Sequence, residues 1–209
     1  MRTSRTSNPL SQALGSVRVV RRLAALCFIL LLPSCSGHEV DLARQSPATA
    51  AEEPDGYEIA EVTRIVDGDT VEVRVTERSE GPGAGHAEIG EAYSVRLIGI
   101  DTPESVKPGS PVECFGAEAS AAAKALLGDQ SVTLVKDVEE TDAYERLLRY
   151  VYLGEEMVNA RLVLNGYASA YTYPPNVRHS ELFVALQREA RETDAGLWAP
   201  NTCDEATGE

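Results

Sequence analysis

Hydrophobic positions along this chain fall into runs of two different periods. Val71, Val73 and Val75 alternate with Glu72 and Arg74, the period of a strand with one buried face. Residues 78–90 are rich in glycine and contain Pro82, which predicts a hairpin loop, and 93–100 read as the third strand. The period then changes. Phe115, Ala119, Ala122, Ala123, Leu126 and Leu127 fall at helical spacing, and Gly128 ends that helix. Val132, Leu134 and Val138 mark a fourth strand. A fifth spans 147–153, after a turn around 141–145. Residues 157–164 predict a short helix ended by Asn165-Gly166. Leu182, Ala185, Leu186 and Ala190 line one face of a last helix, with Glu181, Arg188, Glu189 and Arg191 toward water. Strands followed by helices predict an α+β domain, and there are no internal repeats.

The N-terminus follows another logic. Arg18, Arg21 and Arg22 precede an apolar run at 23–32 that ends in Leu32-Pro33-Ser34-Cys35. A basic region, a short apolar core and a small residue before the cut predict a secretory signal over 1–34. The run is short of the roughly 20 residues of a membrane span, and an uncleaved anchor is the alternative. Leu-x-Ser-Cys resembles a bacterial lipobox, in which Cys35 is lipidated and becomes the first residue. Pro33 is atypical there, so plain secretion stays open, as does a start codon downstream of Met1. The expected product crosses the cytoplasmic membrane of a bacterium and stays on the envelope through a lipid. Residues 35–56, rich in Ala, Glu, Ser and Pro, read as the lipidated cysteine and a tether. Residues 57–200 read as the folded domain and 201–209 as an acidic tail.

Charge divides the chain at the same point. Residues 1–34 hold five of the 19 basic residues and no acid; the remainder carries 14 against 33 acids, a balance of −19. Such a balance opposes long-range attraction to nucleic acid. Of four cysteines, Cys27 leaves with the signal and Cys35 takes the lipid. Cys114 and Cys203 remain, in an oxidising compartment, and are expected to form a disulfide. Two free thiols are the alternative, because sequence does not give geometry.

Four short segments carry chemistry: Asp67-Gly68-Asp69-Thr70, Arg96, Asp101-Thr102-Pro103-Glu104 and Asp142-Ala143-Tyr144-Glu145-Arg146. Asp69 and Asp101 are hard oxygen donors suited to Ca²⁺ or Mg²⁺, and no Cys/His cluster offers a softer site. Pro103 fixes its own φ and biases Thr102 toward an extended shape, which sets the direction of Glu104. Guanidinium groups suit the planar faces of a phosphate better than a lysine does. Each segment alone has a plain alternative. D-G-D is a common turn, and an arginine in a strand usually reaches outward to water; Arg149 is read as such a solvated residue.

In this order, together with Met157-Val158-Asn159, the segments resemble the staphylococcal nuclease (thermonuclease) family from about residue 57 to 198. The resemblance implies a five-stranded OB-type β-barrel capped by three helices. It implies Ca²⁺ held by Asp69, Asp101 and the Thr102 carbonyl, with Asp67 behind them. It makes Glu104 the general base and Arg96 and Arg146 the stabilisers of the transition state. It places Tyr144 on a terminal phosphate and Tyr171 near the base, with Tyr173 following. Core or rim packing of these tyrosines is an equal alternative. The implied activity is hydrolysis of single- and double-stranded DNA and of RNA, as endo- or exonuclease, with little sequence specificity. The implied product carries a 3′-phosphate, and the implied state is a monomer. Three departures bear on affinity: Ala143 replaces a family lysine, Glu145 replaces a family glycine, and the 78–90 loop is long. The acidic balance is screened beyond ~8 Å at physiological salt, so weaker non-specific binding is expected rather than lost chemistry. The rival reading is a non-catalytic OB-fold module, or an envelope lipoprotein that binds nucleic acid or Ca²⁺ without turnover.

Overall fold

Val71, Val73 and Val75 are fully buried, so the valine alternation does build a strand with one face in the core. A computed structural model describes residues 55–106, 109 and 111–203. The expected signal segment, Cys35, the tether up to residue 54 and the tail beyond Cys203 lie outside the described residues.

The first strand, β1 (Glu58–Asp67), turns through Gly68-Asp69 into β2 (Thr70–Arg78). The two pair antiparallel, with Asp67 opposite Thr70 and Val62 opposite Val73. The third strand, β3 (Ala92–Leu97), pairs antiparallel with β2, placing Arg96 opposite Thr70. The sequence predicted this strand to run on to residue 100. It breaks instead at Gly99, which has φ +81° and sits so close to Phe183 that a Cβ would fall 2.2 Å from the ring. Only glycine meets both demands. The chain resumes as β4 (Ile100–Asp101).

Helix α1 (Gly116–Leu127) buries Ala119, Ala123 and Leu127, three positions of the predicted helical stripe. The strand β5 (Ser131–Val135) then pairs antiparallel with β1. It stops before Val138, which was expected within it and is 56% exposed. The strand β6 (Leu147–Leu153) occupies the span read from the sequence. It pairs antiparallel with β5 and parallel with β3, Arg96 opposite Leu148. That parallel contact closes five strands into a barrel. A short β7 (Glu156–Met157) folds back on β6 and leads into α2 (Val158–Leu164). Asn159 in α2 is fully buried. Its Oδ1 accepts from the Val151 amide at 2.9 Å and its Nδ2 donates to the Ile98 carbonyl at 2.9 Å, so one amide ties the helix to both closing strands. The pair β4 and β8 (Ser169–Ala170) lies outside the barrel. The last helix, α3 (Ser180–Glu192), buries Phe183, Leu186 and Ala190. Phe183 was not read as a core residue, although it lies between the predicted apolar positions.

Cys114 and Cys203 form a disulfide, tying the residues before α1 to the C-terminal segment as expected.

Arg149 is not the solvated residue that its place in a strand suggests; its side chain is fully buried. Leu147 through Val151 are all buried, so no face of this part of β6 opens to water. Arg149 Nε donates to Glu58 Oε2 at 2.8 Å, and Nη2 donates to Glu140 Oε1. Glu58 is itself fully buried. Buried charges persist when they are paired and hydrogen-bonded, and Arg149 meets both conditions. The glycine-rich loop makes the room: a Cβ on Gly85 would fall 1.9 Å from Arg149 Nη2.

Candidate active site

The Asp67–Thr70 turn and the Asp101–Glu104 segment pack against one another. Gly68 permits it, since a Cβ there would fall 2.8 Å from the Thr102 side chain. Asp69 then caps the second segment. Its Oδ2 accepts from the Thr102 amide at 2.9 Å and the Thr102 hydroxyl at 3.1 Å. Its Oδ1 accepts from the Thr70 hydroxyl at 3.1 Å. Arg96 completes the cluster, with Nη1 2.9 Å from Asp69 Oδ2 and Nη2 2.9 Å from Asp101 Oδ1.

Asp67 does a related task one step away. Its Oδ1 accepts from the Ser105 hydroxyl at 2.6 Å and the Gly68 amide at 2.8 Å. It therefore anchors the residue that follows Glu104. Burial above all raises its carboxyl above the usual carboxylate range; Glu104 and Asp69 push the same way, and the Ser105 and Gly68 donors pull against them. Asp101 is also raised, first by burial and then by Asp69, Glu113 and Asp67, against the pull of Arg96. These acids are crowded, and added positive charge would relieve them.

Glu104 is held by its main chain. Its amide donates to Glu113 Oε2 at 3.1 Å, and the Glu113 amide donates to the Glu104 carbonyl at 2.8 Å. Glu104 Oε1 accepts from the Val106 amide at 2.9 Å. At the start of α1, Gly116 fits under the same carbonyl, where a Cβ would lie 2.6 Å from the oxygen. The segment that holds Glu104 is thus the one that the disulfide fastens. Ser105 and Glu113 were not identified from the sequence. The adjacency of Ser105 to Glu104 was a usable signal; the role of Glu113 depends on a loop path that sequence does not give.

Arg146 comes from the turn before β6. Asp142 shapes that turn: Oδ1 accepts the Tyr144 and Arg146 amides at 2.9 and 3.0 Å, and Oδ2 accepts Arg146 Nε at 2.6 Å. Burial pushes the Asp142 carboxyl up, but these donors outweigh it and hold it below the usual range. Arg146 Nη1 reaches the Thr70 hydroxyl at 3.4 Å. Thr70 therefore touches Arg146 and Asp69 together and links the two halves of the site. The Arg146 guanidinium lies 5.5 Å from the Tyr144 ring centroid. Glu145 adopts φ +61°, the left-handed region that favours glycine.

Arg96, Asp101, Tyr144, Arg146, Tyr171 and Tyr173 share one cavity of about 530 Å³. Tyr171 and Tyr173 are half-exposed or more and stack on each other, with centroids 6.4 Å apart and planes 10° apart. Beside Tyr173, whose carbonyl accepts its amide at 3.1 Å, Asn176 is buried and fixed: its Oδ1 accepts the Val138 and Glu139 amides, and its Nδ2 donates to Glu139 Oε2 at 3.1 Å. Asp67, Asp69, Thr102 and Glu104 do not line this cavity. They join it through Asp101 and Arg96.

Among the described residues, no group of three or more His, Cys, Asp or Glu side chains gathers as a metal cluster. The expected set needs only two carboxylates and one carbonyl. Arg96 already draws Asp69 and Asp101 to a common positive centre, and Asp101 remains 57% exposed. Oxygen donors with open positions for water suit a hard divalent cation, so the residues fit Ca²⁺.

A closed five-stranded barrel that presents two guanidinium groups and Asp101 to one cavity, with Asp69 joined to it through Arg96, defines an OB-type protein equipped for phosphodiester chemistry. Comparison with known proteins agrees. The model of the family "Staphylococcal nuclease homologue" matches residues 94–200, and the chain belongs to that family. The chain is 38% identical to Thermonuclease of Staphylococcus hyicus over 138 residues, covering 66% of this chain and 74% of that protein. It is 40% identical to Thermonuclease of Staphylococcus intermedius over 137 residues, with the same coverage. Endonuclease YncB of Bacillus subtilis (strain 168) is 33% identical over 138 residues, covering 65% and 59%.

Proposed function

We propose that this nuclease is a Ca²⁺-dependent phosphodiesterase that cleaves DNA and RNA with little sequence preference and leaves 3′-phosphates. The observation that carries the reading is the convergence of Arg96 and Arg146 on one cavity, with Asp101 in its wall. A phosphodiester gains charge on its equatorial oxygens as water attacks, and two preorganised guanidinium groups stabilise that charge. Glu104 takes the proton of the attacking water, and its main chain is fixed from two sides for this task. The water oxygen bonds to phosphorus, the bond from phosphorus to the 5′ oxygen breaks, and that oxygen leaves as a 5′-hydroxyl by taking a proton from solvent water, while Glu104 returns its own proton to solvent. Asp69, Asp101 and the Thr102 carbonyl would hold Ca²⁺, which would supply positive charge to offset that on the phosphate. Tyr144 donates to a terminal phosphate, and the Tyr171–Tyr173 pair offers an aromatic face to a base.

The folded region 57–200 would act outside the cytoplasmic membrane as a monomer, tethered by lipid on Cys35. The signal-like sequence of 1–34 and the disulfide, which requires an oxidising compartment, support that placement. One observation favours the rival of cation binding without turnover: Arg96 is occupied by two carboxylates. The deciding assay measures cleavage of single-stranded DNA, duplex DNA and RNA by the full chain, with Ca²⁺ and with chelator. Cleavage that needs Ca²⁺ and leaves 3′-phosphate ends is expected. Ca²⁺ binding with no cleavage of any substrate would leave the rival.

A further inference from the structure

We propose that Arg149 and Glu140 are positioning residues that set the direction of Arg146; the catalytic part of this rests on the nuclease reading above. Arg149 Nη2 donates to Glu140 Oε1, and its Nη1 donates to the Glu140 carbonyl at 3.1 Å. Glu140 is thus held by side chain and main chain at once. The same carbonyl accepts the Leu148 amide at 2.9 Å, so Glu140 forms the base of the turn that presents Arg146. Two residues further on, Asp142 holds Arg146 by its Nε and its amide.

The other end of the cluster is anchored deep in the barrel. Arg149 Nε and Nη2 lie 2.8 and 3.3 Å from Glu58 Oε2 and Oε1, and both residues are fully buried. The carboxylates also gather the loop after β2: Glu58 Oε1 accepts the Ala87 amide at 3.2 Å and Glu140 Oε1 accepts the His86 amide at 3.0 Å. Burial raises the Glu140 carboxyl, but the His86 amide and Arg149 outweigh it, and the group stays below its usual range. Finally, the Arg149 carbonyl accepts the Ile98 amide at 3.1 Å, at the exit of the strand that carries Arg96. One residue thereby references both cavity arginines to the barrel wall. Every guanidinium nitrogen of Arg149 is hydrogen-bonded, while Glu140 Oε2 is buried with no hydrogen-bond partner, so Glu140 is held through Oε1 and its carbonyl. Such charge-assisted bonds fix the turn, and catalytic groups must be held within a fraction of an ångström of their productive placement.

The test uses full-length Glu140→Ala, which leaves the Glu58–Arg149 pair intact, and Glu140→Gln, which keeps a side-chain acceptor. The first readout is ¹⁵N relaxation of the Arg146 Nε–Hε signal. The second is kcat and KM on single-stranded DNA. In Glu140→Ala, Arg146 should become mobile and kcat should fall about 10–100-fold, the scale of a misplaced catalytic group, with KM within about twofold. Glu140→Gln should restore most of both. Introduced into Arg146→Lys, Glu140→Ala should cost nothing more. A rigid Arg146 signal in Glu140→Ala overturns the proposal. So does an unchanged kcat, or an equal loss in the Arg146→Lys background. A wild type that cleaves nothing would defeat the nuclease reading alone, and the Arg146 signal would still decide the positioning.

Discussion

Arg96 Nη1 lies 2.9 Å from Asp69 Oδ2, and both side chains are largely buried. The same guanidinium holds Asp101. It therefore neutralises the carboxylates expected to hold the cation and also faces the cavity expected to hold the phosphate. Replacing it separates these duties. Arg96→Ala should lower kcat at least about 100-fold, the scale of losing one preorganised donor to a developing charge. Ca²⁺ affinity by calorimetry should hold or tighten, because a competing positive charge is gone. Weakened Ca²⁺ binding would place Arg96 in the support of the metal site instead.

Glu104→Gln separates base from scaffold. The amide oxygen can still accept from Val106, and the two bonds with Glu113 involve the Glu104 main chain. The fold should therefore persist while kcat drops about 10²–10⁴-fold, the usual share of general-base catalysis. Near-normal turnover in a preparation free of contaminating nuclease would remove Glu104 from the role of base.

Glu145 sits at φ +61°, where a Cβ carries strain that glycine avoids. Glu145→Gly should raise stability by about 1 kcal/mol and strengthen nucleic-acid binding by removing a charge beside Tyr144 and Arg146. Urea unfolding and filter binding at two salt concentrations read the two effects separately.

The Cys114–Cys203 bridge spans 89 residues, and cross-links over long loops typically contribute about 2–4 kcal/mol. Reduction, or paired Cys114→Ser and Cys203→Ser, should lower the melting temperature. It should also slow cleavage, because Glu113 next to the bridge holds Glu104. Two titratable thiols in the native protein would refute the bridge outright.

His179 gives a pH signature. It packs edge-on against Tyr150, with centroids 4.5 Å apart, and against Phe183. Burial first, then Arg178, lowers its pKa below 6.5, with Asp137 opposing them. The unfolded chain thus takes up a proton that the fold resists. Stability is fully present above about pH 6.5 and falls as pH drops through the lowered value. His179→Gln should flatten the decline in urea midpoint between pH 7 and pH 5. An unchanged slope would assign that decline to other groups.

The sequence exposed what depends on neighbours along the chain. The valine alternation, the Asp67–Thr70 turn and the span of β6 are local patterns, and the structure reproduces them. What it hid depends on distant partners. Arg149 looks like any strand arginine until Glu58, 91 positions away, is seen beside it. The break at Gly99 requires the Phe183 ring. Val138 has the composition of a strand residue, but the chain has already left the barrel to reach Asn176. The arginines, Asp101 and the tyrosines were assigned by residue type and order, and the cavity unites them. Ser105 went unseen because its hydroxyl binds Asp67, 38 positions earlier, and Glu113 because it grips the Glu104 main chain across a loop.

The parallel pairing of β3 with β6 sets Arg96 across from Leu148, two positions beyond Arg146, although the two arginines are far apart in the chain. No contiguous stretch carries both cavity arginines. A nascent or partly unfolded chain can present the carboxylates or one guanidinium group, but not the assembled set. The paired guanidinium groups therefore exist only once the β3–β6 seam has closed.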